Sequence, residues 1–187
     1  MFADYVNTYR NLVTLKDGAR VLLRPLTRND RQRLIEMFAP VSAEDFKYMR
    51  APITPELVER WIGQLDYLRV LPIVAIFQDH IVGDATLHFS EGASRHIGEV
   101  RLFITTEFRR RGLGNQMLHA LVELGHKAGL HWLTAEIVAD KTKVIQAFEH
   151  VGFQPQCTYE DAFMFPDGST TSKVVLMMRL LAREEEF

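Results

Sequence analysis

The chain has 187 residues, 47% of them hydrophobic, with a formal net charge of -2 and one cysteine, Cys157. That length and apolar share suit one domain with a buried core, and exclude a disordered tract, a collagen-like repeat or a disulfide-stapled scaffold. The near-neutral balance argues against a nucleic-acid partner and no apolar run reaches bilayer length; the lone cysteine and an N-terminus without a basic, apolar leader point to the reducing cytoplasm.

No internal repeat or Gly/Ser linker interrupts the chain, so residues 1–187 read as a single domain. Residues 1–17, with Tyr5, Tyr9, Leu12 and Val13 among polar neighbours, read as a short helix or an N-terminal arm. Ala19 to Leu23 is expected as a strand that Pro25 closes. Asn29 or Asp30 caps a helix carrying Leu34, Ile35, Met37 and Phe38, ended by Pro40. Thr54-Pro55-Glu56 combines a cap, a first-turn proline and an acid at the positive dipole end. Leu57, Val58, Trp61, Ile62, Leu65 and Leu68 continue that segment at helical spacing.

Leu71 to Phe77 and Ile81 to Phe89 are branched and aromatic runs joined by Gln78-Asp79-His80, the pattern of an antiparallel hairpin. Ile97 to Thr105 is a further strand, with Val100, Leu102 and Ile104 on one face and Phe103 on the other. Gly112 to Ala128 is a helix striped by Leu113, Met117, Leu121 and Leu124, with Gly129 placed to end it. Trp132 to Val138 is a strand and Thr142 to His150 a shorter helix. Tyr159 to Phe165 and Lys173 to Leu181 form a hairpin through Pro166-Asp167-Gly168-Ser169. This succession calls for an α/β fold, a mixed sheet covered by helices.

The chemistry concentrates where a strand runs through Thr106-Glu107-Phe108 into Arg109-Arg110-Arg111-Gly112-Leu113-Gly114 and straight into a helix. Glycines there let backbone approach a ligand closely. Free N–H groups and the positive helix end suit an anion, phosphate above all, and three arginines add charge and forked donors. The Gly-Lys-Ser/Thr of a P-loop and the third glycine of a dinucleotide fingerprint are missing. A solvated basic turn, its glycines serving helix packing, is the plainer alternative.

The loop resembles that of the GNAT acetyltransferases, (Arg/Gln)-x-x-Gly-x-(Gly/Ala) after a strand and opening a helix, matched by Arg109, Gly112 and Gly114. Phe148-Glu149-His150-Val151-Gly152-Phe153 is similar to the family's (Tyr/Phe)-Glu-x-x-Gly-Phe ending. Arg20 to Leu26 resembles its opening strand, and Ile81-Val82-Gly83 the start of its third. The likeness spans roughly residues 19–181.

The resemblance implies a mostly antiparallel sheet whose strands 99–105 and 132–138 run parallel and splay apart, flanked by helices. It implies acetyl-coenzyme A as co-substrate, its pantetheine arm in the gap beside the backbone of Leu102, Phe103 and Ile104. Arg109 and the amides of Arg110, Arg111, Gly112, Leu113 and Gly114 would hold the pyrophosphate, with Asn115 next in the same turn. Lys141 and Phe148 fall at further cofactor positions, where the family often has asparagine and tyrosine. Phenylalanine cannot donate a proton to the leaving thiolate, but with a thiol pKa near ~8.5 unassisted expulsion costs only about 2 kcal/mol near neutral pH.

A lysine amine is only about 0.1% neutral near pH 7.4, so a base is useful. The resemblance implies Glu99, at the start of the strand before the loop, with a backbone N–H of Phe103 or Ile104 stabilising the oxyanion. Arg24 to Asp30, Phe38 to Ser42 and Tyr48-Met49-Arg50 resemble the GNAT domain of bacterial protein-lysine acetyltransferases. A protein lysine is therefore the leading acceptor and a small-molecule amine the next; a non-catalytic acyl-coenzyme A binding regulatory domain, and a domain whose basic loop binds nothing specific, are the alternatives. An exposed edge strand would permit a homodimer. Among the seven histidines, His119 and His126 lie seven apart on one helix, where chelating pairs are usually four apart, so no metal is expected. Cys157 reads as a small core residue, Trp61 and Trp132 as core aromatics, and Arg183 to Glu186 as a frayed end. Trp61, Asp161 and Phe163 fall in regions that border the acceptor in GNAT folds.

Overall fold

The computed structural model describes residues 2–46, 48–49 and 53–180. The elements run α1 (Phe2–Thr8), β1 (Asn11–Thr14), β2 (Arg20–Pro25), α2 (Arg31–Phe38), α3 (Ala43–Phe46) and α4 (Pro55–Gly63). They continue β3 (Val70–Phe77), β4 (His80–Phe89), β5 (Ile97–Ile104), α5 (Leu113–Lys127), β6 (Trp132–Val138), α6 (Thr142–Val151), β7 (Gln154–Met164) and β8 (Thr170–Arg179). The strands form one eight-stranded sheet in the order β1-β2-β3-β4-β5-β6-β8-β7. Neighbours are antiparallel except β5 and β6. The mixed, mostly antiparallel α/β fold is as expected.

Local chemistry explains the element ends. Thr54 Oγ1 accepts the Leu57 amide (3.3 Å), capping α4 where Pro55 needs no donor. Gln78 and Asp79 both adopt positive φ (46° and 69°), the two-residue turn that matches strand twist, so β4 begins at His80. Arg33 of α2 pairs with the Asp79 carboxylate and donates Nε to its carbonyl (2.9 Å), tying helix to hairpin.

Several expectations change: Asp30 does not cap α2 with its side chain, and the last hairpin starts earlier on both strands, at Gln154 and Thr170. The first arm contains α1 and a short strand, β1, added to the sheet edge. A one-turn helix, α3, follows the loop after α2. Finally, α4 stops at Gly63, short of Leu65 and Leu68. Asp66 accepts the Leu68 amide on its side chain (2.9 Å), and the Arg69 and Val70 amides on its carbonyl. This local turn competes with the helix and leaves Leu68 64% exposed. Leu181 and the tail from Arg183 lie outside the described residues.

The sheet carries a core on each face. Leu71, Ile73, Ala85, Leu87, Leu133 and Leu176 pack with α1, α5 and α6, while Val74 and Ile81 pack with Leu34, Phe38, Val58 and Ile62 of α2 and α4. Under the second layer, Asp30 is fully buried. Arg24 grips it with two hydrogen bonds (2.6 and 2.7 Å), the Thr27 amide (2.8 Å) and hydroxyl (2.7 Å) donate to it, and Arg33 adds a longer contact (3.3 Å). Burial pushes the Asp30 carboxyl up, but Arg24 and Thr27 outweigh it and hold it at about 2.

Candidate active site

The parallel pair β5–β6 supplies the opening. Its register runs Ile97↔Trp132, Gly98↔Leu133, Glu99↔Thr134 and ends there, although β5 continues to Ile104 and β6 to Val138. Beyond Glu99 the strands part. Leu102, Phe103 and Ile104 stay paired to Ala85, Asp84 and Gly83 of β4, so one backbone edge of β5 faces the gap. The splay expected between strands 99–105 and 132–138 is present, and Glu99 stands at its fork.

The loop that follows β5 is shaped by two left-handed residues, Arg110 (φ 60°) and Gly112 (φ 90°). The amides of Arg110 through Asn115 have no hydrogen-bond acceptor among the described residues; the first capping bond runs from the Gln116 amide to the Gly112 carbonyl (3.3 Å). Successive unmet N–H groups at the positive end of the 15-residue helix α5 make an anion cradle. A Cβ on Gly112 would meet the side chain of Lys16 at 3.4 Å, and one on Gly114 would meet Ile104 at 3.3 Å and Leu102 at 3.6 Å. Gly114 therefore lets the helix lie close on β5.

The three arginines are not equivalent. Arg109 donates both terminal nitrogens to Asp45 (3.1 and 3.0 Å) and Nε to the Ile104 carbonyl (3.0 Å). Arg111 pairs with Asp17 (2.5 Å) and lies 4.2 Å over the Phe108 ring. Only Arg110 has its guanidinium without a partner among the described residues. The Arg109 guanidinium beside Asp45, and that of Arg111 beside Asp17, hold each carboxyl below its ordinary value. Both acids lie far outside the motif, and nothing in the motif foretells them.

On the α2/α4 side of the sheet, a polar row crosses the strands. Glu99 accepts Nε (3.1 Å) and a terminal nitrogen (2.9 Å) of Arg101, and stands opposite His88, whose Nε2 lies 2.9 Å from Thr86 Oγ1. Two residues along β4 is Asp84, opposite Phe103. Its Oδ1 is buried without a hydrogen-bond partner among the described residues, and burial pushes the carboxyl up to about 7. Asp84 was not singled out from the sequence. An acid inside the run Ile81 to Leu87 was the available signal.

Two residues of α3 and its sequel contact the segments that follow β5 and β6. Asp45 in α3 is fixed to Arg109 beyond the end of β5, and the Lys141 ammonium, just after β6, sits 3.5 Å from the Tyr48 ring centroid. Tyr48 also meets Phe165 edge-on at 5.5 Å. Phe148 is 3% exposed and packs edge-on against Phe153 at 5.1 Å, inside the core under α6. His119 and His126 face solvent, and no cluster of three metal-ligating side chains occurs among the described residues. Cys157 is exposed on β7, a correction forced by that strand's position at the sheet edge. Asp161 sits at positive φ (51°) where the β7–β8 register shifts, beside Phe163. Trp61, expected in the core, is instead 40% exposed near the end of α4 with its ring edge-on to Phe38, and Trp132 lies under Arg179.

The model of the acetyltransferase (GNAT) domain family matches residues 20–154. Among solved structures, the GNAT domain of S. lividans PAT is 21% identical, with a TM-score of 0.77 over 91% of this chain and 97% of that one. The yncA protein of Salmonella typhimurium, determined with its cofactor acetyl-CoA, is 15% identical, with a TM-score of 0.74 over 88% and 96% of the two chains. Ribosomal-protein-alanine N-acetyltransferase from Brucella melitensis is 19% identical, with a TM-score of 0.75 over 84% and 99%. At such identities the structures share the fold, and the family match carries the chemistry. The chain belongs to the GNAT acetyltransferase family and is an acetyl-coenzyme A-dependent N-acetyltransferase.

Proposed function

We propose that the chain acetylates a primary amine by direct attack at the β5–β6 fork, with Glu99 as base and a protein lysine as the preferred acceptor. The observation that carries this reading is the end of the β5–β6 ladder at Glu99↔Thr134, which sets a carboxylate at the point where the strands part. The cradle of amides from Arg110 to Asn115 fits a pyrophosphate, and the free edge of β5 at Leu102 to Ile104 fits an amide-bearing pantetheine arm. Acetyl-coenzyme A supplies the acetyl group as a thioester.

An ionised carboxylate offers about four lone-pair sites, and Arg101 takes one on each oxygen. The Arg101 guanidinium fixes the orientation of the Glu99 carboxylate, to which the amine proton would pass directly or through one water. The buried Phe148 offers no acid, so the thiolate departs unprotonated. The acceptor reading rests on the sequence likeness to protein-lysine acetyltransferases, and the reaction requires an amine that can give its proton to Glu99. Small-molecule amines share the same requirement.

Steady-state acetylation of a lysine peptide, free amino acids and simple amines tests this. Glu99→Gln should lower kcat by roughly 10²–10⁴-fold at neutral pH, with part of the loss recovered at high pH, where the amine loses its proton unaided. Full activity of Glu99→Gln across pH would remove Glu99 from the mechanism. Turnover confined to small amines would overturn the lysine assignment.

A further inference from the structure

We infer that Lys16 is a ligand for the coenzyme pyrophosphate, delivered to the loop by the N-terminal α1–β1 segment. This rests on the reading of residues 109–115 as the pyrophosphate site, and adds to it a residue outside the family match, which begins at residue 20.

Lys16 lies in the turn between β1 and β2, and that turn is locked onto the loop twice. The Lys16 amide donates to the Arg111 carbonyl (3.1 Å), and the next residue, Asp17, pairs with the Arg111 guanidinium (2.5 Å). The turn is also braced internally. Leu15 and Ala19 are joined by an N–H···O bond (2.8 Å), the Gly18 amide donates to Leu15 (3.0 Å), and the Ala19 amide to Asp17 Oδ1 (3.2 Å).

Packing fixes the whole segment. Val6, Val13 and Leu15 are buried in the core, and Tyr5 hydrogen-bonds Glu123 on the exposed side of α5. The Lys16 stem runs over Gly112, its Cγ, Cδ and Cε lying 3.4, 3.9 and 3.6 Å from where a Cβ on that glycine would stand. A lysine that lays its methylenes along a surface carries its ammonium at the far end, here one bond beyond the Cε that lies over Gly112.

The charge balance of the loop makes this lysine matter. Asp45 occupies Arg109 and Asp17 occupies Arg111, each as an ion pair. Those two arginines therefore shape the loop instead of neutralising a ligand. Arg110 and Lys16 are the cations near Gly112 without a partner among the described residues. The segment with one acid, Asp17, thus diverts an arginine of the motif and supplies a lysine in its place.

The test is calorimetric titration of acetyl-coenzyme A into the full chain and into Lys16→Ala, Lys16→Arg and Gly112→Asp. Lys16 is exposed, so its replacement leaves folding intact. Lys16→Ala should weaken binding roughly tenfold, about 1.4 kcal/mol, and flatten the salt dependence of Kd. Lys16→Arg should bind nearly as the native chain does. The tenfold loss should persist with acetyl-(3′-dephospho)-coenzyme A; its disappearance would move Lys16 away from the pyrophosphate and overturn the assignment. An unchanged Kd in Lys16→Ala, with Gly112→Asp crippled, would overturn Lys16 alone. Native-like binding by Gly112→Asp would overturn the loop reading and Lys16 with it.

Discussion

Arg109 holds Asp45 through two parallel hydrogen bonds of 3.1 and 3.0 Å, joining residues 64 positions apart. The same guanidinium caps the Ile104 carbonyl at the end of β5. The first residue of the loop motif thereby fastens α3 to the end of β5. Because the two side chains are 37% and 20% exposed, the pair contributes little to global stability. Asp45→Asn should lower stability by about 1 kcal/mol or less in thermal melting, yet raise KM for the acceptor several-fold in steady-state assays. An unchanged KM would mean that the Asp45–Arg109 pair has no part in acceptor binding.

Asp30 behaves oppositely, because it is fully buried and its main partner, Arg24, is only 15% exposed. Asp30→Ala leaves Arg24 without its counter-ion and should cost about 3–5 kcal/mol by urea unfolding. With the native carboxyl held at about 2 against an ordinary value of 3.8, its contribution is present above pH ~4 and is lost as pH falls from there toward 2. A stability–pH curve of the native chain should fall in that window, and that of Asp30→Ala should fall less.

Asp84 reverses the sign. Its carboxyl, raised from 3.8 to about 7 by burial, binds its proton more tightly in the folded state. Stability from this group is complete below pH ~4 and declines as pH rises through the window to about 7. Asp84→Asn should match the native chain near pH 4 and exceed it by roughly 2–4 kcal/mol at pH 8. Equal stabilities at pH 8 would show that the carboxylate finds a partner when it ionises.

Much of the frame was legible because it rests on local chemistry. The cap at Thr54, the limits of β6, the hairpin at Gln78–Asp79 and the glycine-led start of α5 each follow from residues within one turn of the feature. The fork was expected only through family resemblance; no periodicity announces a three-residue ladder. The first arm escaped because β1 spans four residues with alternating exposure, Leu12 out and Val13 in, too short to stand above its polar neighbours. The arginine partners Asp17 and Asp45 and the seat of Lys16 on Gly112 are contacts between distant segments, and so are absent from any local pattern. Asp84 was within reach: one acid in an apolar strand core is either paired or perturbed.

The most direct test of the central claim is thermal melting of the native chain and Gly112→Asp, each with and without acetyl-coenzyme A. At φ 90°, beside Lys16, an aspartate would strain the loop and set a carboxylate against the pyrophosphate. Saturation at one hundred times Kd adds roughly 2.7 kcal/mol, a rise in Tm of about 5–10 °C for a chain of this size. That rise is expected in the native chain and none in Gly112→Asp. No shift in the native chain at millimolar acetyl-coenzyme A, or the same shift in both, would contradict it.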